Sequence, residues 1–347
     1  MTFLGIDLLF ALEKILLISA VLAVSLVVAM YCTWGERKVA GWIQDRIGPD
    51  RAGPLGLLQP LADGGKLFFK EEIIPTNANR GLFILGPSLA MLTACMTGAV
   101  LPWGDTLTFG NTQVSLQVAD INVGILYIFG VVGLGVYGIM IGGWASNNKF
   151  SLLAAVRGAS QIISYELAMG LSLIALLMLT GTLSLKEIVE QQRAGYWNVV
   201  YQPLGFFLFL ICAFAECNRA PFDLPEAENE LNGGYHLEYS SMKLGFFLFA
   251  EYINMFISSA LMATLYFGGY SFPYMDQIGL DGNWLTILGM GALFFKTICF
   301  IFFFMWVRWT LPRFRYDQLM KLGWKVLIPL ALVNMLITGA LILWQQS

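Results

Sequence analysis

Ile125-Leu126-Tyr127-Ile128-Phe129-Gly130-Val131-Val132-Gly133-Leu134-Gly135-Val136-Tyr137-Gly138-Ile139-Met140-Ile141 contains no charged residue, histidine or proline. It lies within a segment, 119–145, whose only acidic or basic residue is Asp120. Crossing a bilayer as a helix takes about 20 mostly apolar residues. Seven other stretches come near that requirement: about 8–33, 80–101, 160–181, 202–217, 242–268, 285–309 and 324–344. The stretch 202–217 is short, and 160–181 contains Glu166. Backbone in hydrocarbon must satisfy its own hydrogen bonds, which leaves helices as the economical solution. The reading is an all-α, polytopic membrane protein of about eight spans, forming one domain over residues 1–347, with both termini on the same side.

Composition agrees. The 347 residues are 57% hydrophobic and 12% charged, against about 45–50% apolar and about 25% charged in soluble chains. A net charge of -3, with basic residues dispersed, makes no case for nucleic acid. Five cysteines, at 32, 95, 212, 217 and 299, include no CxxC pair, and His236 is the only histidine. An iron–sulfur cluster takes about four thiolates and most haem sites a histidine. Any electron carriers therefore belong to partners, and no metal site is expected in this chain. Residues 1–10 hold no Lys or Arg, and no small-residue cleavage site follows, so the first apolar run reads as a permanent span.

Basic residues orient the bundle. Sixteen of the twenty Lys and Arg fall in or beside the connections 34–79, 146–159, 218–241 and 310–323; the opposite loops hold only Lys186 and Arg193. The positive-inside rule places those four connections in the cytoplasm and both termini outside. The first connection mixes Trp42, Ile43, Ile47, Leu55, Leu61, Phe68 and Phe69 with charges and is broken at Gly48-Pro49 and Gly53-Pro54. It reads as short amphipathic helices at the interface.

The third connection carries the chemistry. Glu216-Cys217-Asn218-Arg219-Ala220-Pro221-Phe222-Asp223-Leu224-Pro225-Glu226-Ala227-Glu228-Asn229-Glu230, running on to Glu238, sets many carboxylates against one arginine. Pro221 and Pro225 forbid a continuous helix through its first part. Glu226 and Glu230, four apart, would share a face on a helix and repel, which suits proton uptake near neutral pH. The same residues suit a solvated acidic loop contacting a basic partner. Within the spans, Glu166 and Glu251 sit among apolar neighbours, where carboxylates are costly and usually mark proton or ion paths. Asp7 and Glu13, near the first span's start, suit snorkelling to the interface.

Gly35-Glu36-Arg37-Lys38, Gln44, Arg46, Gly48-Pro49, Arg51 and Gly53, followed by Leu58-Gln59, Ala62-Asp63, Lys66-Leu67-Phe68 and Lys70-Glu71, resemble the first loop of the NuoH family, the H subunits of respiratory complex I. The acidic loop, with Glu238-Tyr239-Ser240 and Met242-Lys243, is similar to that family's most specific signature. Leu311-Pro312-Arg313-Phe314-Arg315-Tyr316-Asp317 is similar to its last loop. Asn232-Gly233-Gly234 and Ser241 depart from the usual pattern.

The resemblance implies a membrane component at the heel of an L-shaped, proton-pumping NADH-quinone oxidoreductase, forming much of a quinone chamber between the first span, the loop helix and the sixth span. Glu36, Arg37, Asp63 and Arg219 would line or brace that chamber. Glu166, Glu216, Glu226, Glu228 and Glu251, with Asp223 and Glu238 nearby, would begin a proton path. Quinone is then a substrate, while FMN and iron–sulfur clusters lie in partner subunits. Those partners are peripheral-arm subunits carrying the terminal cluster and the quinone headgroup site, and small and antiporter-like membrane subunits, with lipid around them. A membrane subunit of a hydrogenase or formate-hydrogen lyase shares much of this pattern without needing a full quinone chamber. An independent transporter would show paired broken spans, which are not found, and a passive anchor would not need Glu166 and Glu251.

Overall fold

The computed structural model describes residues 2–3, 6–109, 112–226, 228–277 and 282–346. Among them, seven helical stretches are long and apolar enough to cross a membrane. They are α1 (Leu8–Ile43), α3 (Arg80–Thr97), α4 (Gly124–Ala145), α5 (Lys149–Thr180), α8 (Ser241–Tyr266), α9 (Gly282–Thr310) and a C-terminal stretch of α10 (Tyr316–Leu322), a π-helical turn (Gly323–Leu327) and α11 (Ile328–Gln346). Two shorter helices lie outside that set, α2 (Gln59–Phe69) and α6 (Leu185–Ala194). The apolar segment near 202–217 forms α7 (Pro203–Glu216), only 14 residues long. The protein is all-α and polytopic, with strand confined to short hairpins such as Thr106–Phe109 with Thr112–Ser115.

Several helices extend further than hydropathy alone suggests. No proline interrupts the chain between residues 33 and 43, so α1 continues to Ile43 and carries Glu36 and Arg37 on its last turns. At about 1.5 Å per residue, its 36 residues exceed the roughly 30 Å of a hydrocarbon core. Helix α5 begins at Lys149, where the Asn148 side chain caps it by accepting from the Phe150 amide at 2.9 Å.

Lipid is as apolar as leucine, so these helices are held by close packing more than by a hydrophobic drive. The α3–α4 crossing shows how. A Cβ on Gly138 would stand 2.9 Å from the Ala90 amide nitrogen, and one on Gly86 would stand 2.8 Å from the Gly142 Cα. Small residues four apart on α4 let the two backbones touch. In the core of the bundle, Phe83, Tyr165, Phe209, Phe247 and Phe256 are fully buried.

The bundle has two distinct ends. At one, Arg193 pairs with Asp105 at 3.5 Å, and Lys296 donates to the carbonyls of Phe267, Gly269 and Ser271 at 2.5–2.8 Å. The other end gathers the tail of α1, helix α2, the acidic segment 217–240 and the turn 311–315, and it holds the site.

Candidate functional site: a buried charge network beside a cavity

The acidic segment leaves α7 at Glu216 and does not resume helix until Glu228–Leu231. Instead of floating in solvent, its first part is buried: Arg219, Phe222, Asp223 and Leu224 are each under 5% exposed. Gln161 of α5 holds it there, donating to the carbonyls of Ala215 and Phe222 at 2.8 and 2.6 Å. The turn after α9 closes over it, with the Phe314 amide donating to the Pro221 carbonyl at 3.1 Å. Asn232-Gly233-Gly234 finds its reason here. Gly234 has φ of 80°, and a Cβ on it would lie 2.1 Å from the Pro225 carbonyl oxygen, so only glycine fits the fold-back.

At the centre, Glu36 of α1 meets two arginines and a tyrosine. Arg308 Nη1 lies 2.5 Å from Glu36 Oε1, Arg219 Nη1 lies 3.5 Å from Oε2, and the Tyr252 hydroxyl donates to Oε2 at 2.7 Å. The Arg219 guanidinium also lies over the Tyr252 ring, 4.1 Å from its centroid. On its far side Arg219 Nη2 reaches Glu251 Oε2 at 3.9 Å, while the Tyr235 hydroxyl donates to Glu251 Oε1 at 3.1 Å. One guanidinium thus bridges two buried carboxylates on two spanning helices. Burial works to lower the proton affinity of Arg219, but Tyr252, Glu36, Glu251 and Glu226 outweigh it and hold the charge firmly.

Beside Glu36 opens a cavity of about 380 Å³ between α1, α2 and α8. Glu36, Arg37, Asp63, Tyr252 and Arg308 supply its polar wall, and Leu67, Leu248 and Phe249 are among its apolar residues. Arg37 and Asp63 pair across it at 2.9 Å, and Gln59 donates to Asp63 at 3.2 Å. A largely apolar space with a few convergent polar groups is the usual form of a small-molecule site.

Beyond Glu251 two small cavities continue towards Glu216. A cavity of about 40 Å³ is lined by Glu251, Tyr235, Asn218, Asn254 and Glu216. Another, of about 20 Å³, shares Glu216 and Asn254 and adds Thr97 and Ser258. Each has room for at least one water, which takes about 10–15 Å³. Glu166 lies further on, its carboxylate against Gly133 of α4, and helps line a surface groove of about 440 Å³ with Trp324. The neighbouring Tyr165 is fixed by its hydroxyl, which donates to the Leu319 carbonyl at 2.9 Å.

Other candidates sit apart. Asp223 is not on Arg219 but against Arg313, whose Nη2 stands 3.0 Å from Oδ2, out of line for a hydrogen bond. Burial, then the Glu226 carboxylate, push Asp223 up to about 7, against the lowering from Arg313 and Arg219. Glu238 accepts from Asn148 at 2.7 Å, away from the cavity. Glu226 and Glu230 do not form the expected like-charged face. Glu226 precedes the short helix and acts inward on Asp223, whereas Glu230 pairs outward with Arg157 at 2.9 Å. The side chains of Asp7 and Glu228 lie outside the described residues.

Sequence reasoning did not single out Arg308, Tyr252, Tyr235 or Arg313 as site residues. Arg308 had a signal, a cation inside the end of an apolar span, and Arg313 lies in the Leu311-Pro312-Arg313 turn. Nothing local in the sequence marks Tyr252 or Tyr235 as partners of Glu36 and Glu251.

Comparison with known proteins covers nearly the whole chain. A family model described as NADH dehydrogenase matches residues 15–339. The chain is 69% identical to an NADH-quinone oxidoreductase H subunit of Cytophaga hutchinsonii, covering 96% of this chain and 98% of that one. It is 63% identical to the NADH-quinone oxidoreductase H subunit of Flavobacterium johnsoniae, over 96% of each. With an H subunit of NADH-quinone oxidoreductase from Geobacter metallireducens identity is 50%, over 98% of each. Agreement of that extent, along nearly the whole length of each relative, means that the chain belongs to the NADH dehydrogenase family.

Proposed function

We propose that the chain is a membrane subunit of a proton-pumping NADH-quinone oxidoreductase, in which the α1–α2–α8 cavity takes the quinone and the Glu36–Arg219–Glu251 network starts the proton path. One observation carries this reading. Glu36 is both a wall of the cavity and a member of the buried network, so charge arriving in the cavity acts on Arg219, and through it on Glu251.

Electrons reach the quinone from an iron–sulfur cluster in a partner, and FMN likewise lies in the peripheral arm; this chain supplies position and electrostatics. Reduction to quinol consumes two electrons and two protons. A negative charge developing beside Glu36 competes with it for Arg308 and Arg219. Weakening the Arg219–Glu36 pair changes the counter-charge that Glu251 feels. Glu251 then exchanges protons with Glu216 through the small cavity that both line, and Glu216 with Glu166 and the membrane subunits beyond. Moving one charge against 100 mV takes about 2.3 kcal/mol, equivalent to shifts of about two pKa units, within reach of buried carboxylates. In this reading the cavity end faces the cytoplasm, where the protons are collected.

The cavity is tested by filling it. Leu248→Trp in the assembled complex should raise the KM for quinone several-fold while NADH oxidation by a soluble acceptor, which needs only the peripheral arm, stays unchanged. An unmoved KM would remove the quinone from this cavity. Co-purification with hydrogenase subunits, and none of a quinone reductase, would overturn the enzyme assignment.

A further inference from the structure

The cavity wall carries two charges that the network does not use. Lys66, in the last turn of α2, and Lys70, the extended residue that caps its C-terminus, both line it. Every other cation on that wall has a carboxylate, Arg37 on Asp63 and Arg308 on Glu36. Neither lysine has an ion-pair partner among the described residues, and both side chains are exposed. Asp63, the nearest carboxylate along α2, is already taken by Arg37 and Gln59.

Next to this bare pair lies an apolar edge. Leu61 is 54% exposed, Phe68 70% and Phe69 93%, although each belongs to a helix packed on a membrane-crossing bundle. Such a surface on an interfacial helix meets acyl chains, and lysines beside it meet headgroups. The two features call for opposite chemistries within one ligand: a negative head for the two ammonium groups at the end of α2, and a long apolar body.

We propose that an anionic phospholipid binds at the mouth of the cavity, with its phosphate between Lys66 and Lys70 and its acyl chains on Leu61, Phe68 and Phe69. Plain snorkelling would leave the lysines among whatever headgroups surround them, with no lipid retained. A site retains one and selects for charge. The lipid then forms part of the rim past which an apolar substrate enters. Its binding does not require that substrate to be a quinone, so the two readings fail separately.

The experiment uses the assembled complex in nanodiscs of phosphatidylcholine containing a small fraction of photoreactive phosphatidylglycerol, with cross-linked peptides mapped by mass spectrometry without turnover. Labelling should concentrate on the peptide spanning α2. Lys66→Gln with Lys70→Gln should lower labelling at least about tenfold. Lys66→Arg with Lys70→Arg should keep it. If the glutamine pair does not assemble, the wild-type complex decides by itself. Its preference for photoreactive phosphatidylglycerol over photoreactive phosphatidylcholine at α2 should fall from low to high salt. Equal labelling by both lipids, or unchanged labelling in the glutamine pair, would overturn the site.

Discussion

The two halves of the polar interior handle charge in opposite ways. Around the cavity every buried carboxylate has a cation: Glu36 has Arg308 and Arg219, and Glu251 has Arg219. Towards α5 the carboxylates stand without ion pairs among the described residues: Glu216 borders two small cavities, and Glu166 lies against Gly133. A paired carboxylate is fixed in charge and holds structure. An unpaired one beside a small cavity can change protonation without orphaning a partner. Under the proposed function, the first half senses charge in the cavity and the second carries protons away from it.

Removing Arg219 tests the paired half hardest. Arg219→Met leaves Glu36 and Glu251 facing each other without their shared cation, and breaking such a buried pair costs about 3–5 kcal/mol. The expected outcome is loss of assembled complex on native gels. Arg219→Lys should assemble with a lowered Tm, because an ammonium cannot reach both carboxylates as a guanidinium does. Assembly of Arg219→Met at wild-type level would dissolve the contrast.

Glu216→Gln probes the unpaired half, and the expected pattern is reversed. Stability should change by about 1 kcal/mol or less, since no cation is orphaned. Protons pumped per electron should fall several-fold in proteoliposomes. Full pumping in an assembled variant would take Glu216 out of the path.

Asp223 lies between the two regimes, with a cation nearby but out of hydrogen-bond line. Its folded value of about 7 stands above the ordinary 3.8. The folded protein therefore keeps a proton that the unfolded chain releases, and stability falls as pH rises between those values, levelling above about 7. Asp223→Asn lacks this loss. The Tm difference between wild type and variant should drift against the wild type from about pH 4 to about pH 7 and then stay flat. A difference independent of pH would place the group's titration elsewhere.

The smallest effect belongs to the cavity's outer pair. Arg37 and Asp63 are 51% and 27% exposed in their side chains, and pairs of that kind contribute about 0–1 kcal/mol. Asp63→Asn should leave Tm within a degree or two of wild type, and any change should appear in quinone KM. A large fall in Tm would mean that the cavity rim holds the bundle together.

Much of this was written in the chain. The charge-free run around Ile125–Ile141 and its counterparts determined an all-α membrane bundle, because hydrocarbon tolerates little else. Glu36, Arg37, Asp63, Arg219 and Glu251 could be named from motif and cost before any geometry. Two things needed the tertiary structure. The first was pairing: Glu36 and Arg308 lie far apart in sequence and meet only because α1 and α9 pack together, and Arg313 finds Asp223 across a turn. The second was the division of the carboxylates. Glu226 and Glu230, alike in sequence, face opposite ways because the helix starts only at Glu228. Sequence fixes which side chains are too costly to be idle in a membrane; whether a given carboxylate is clamped or free depends on which helix brings a cation to it, and packing alone decides that.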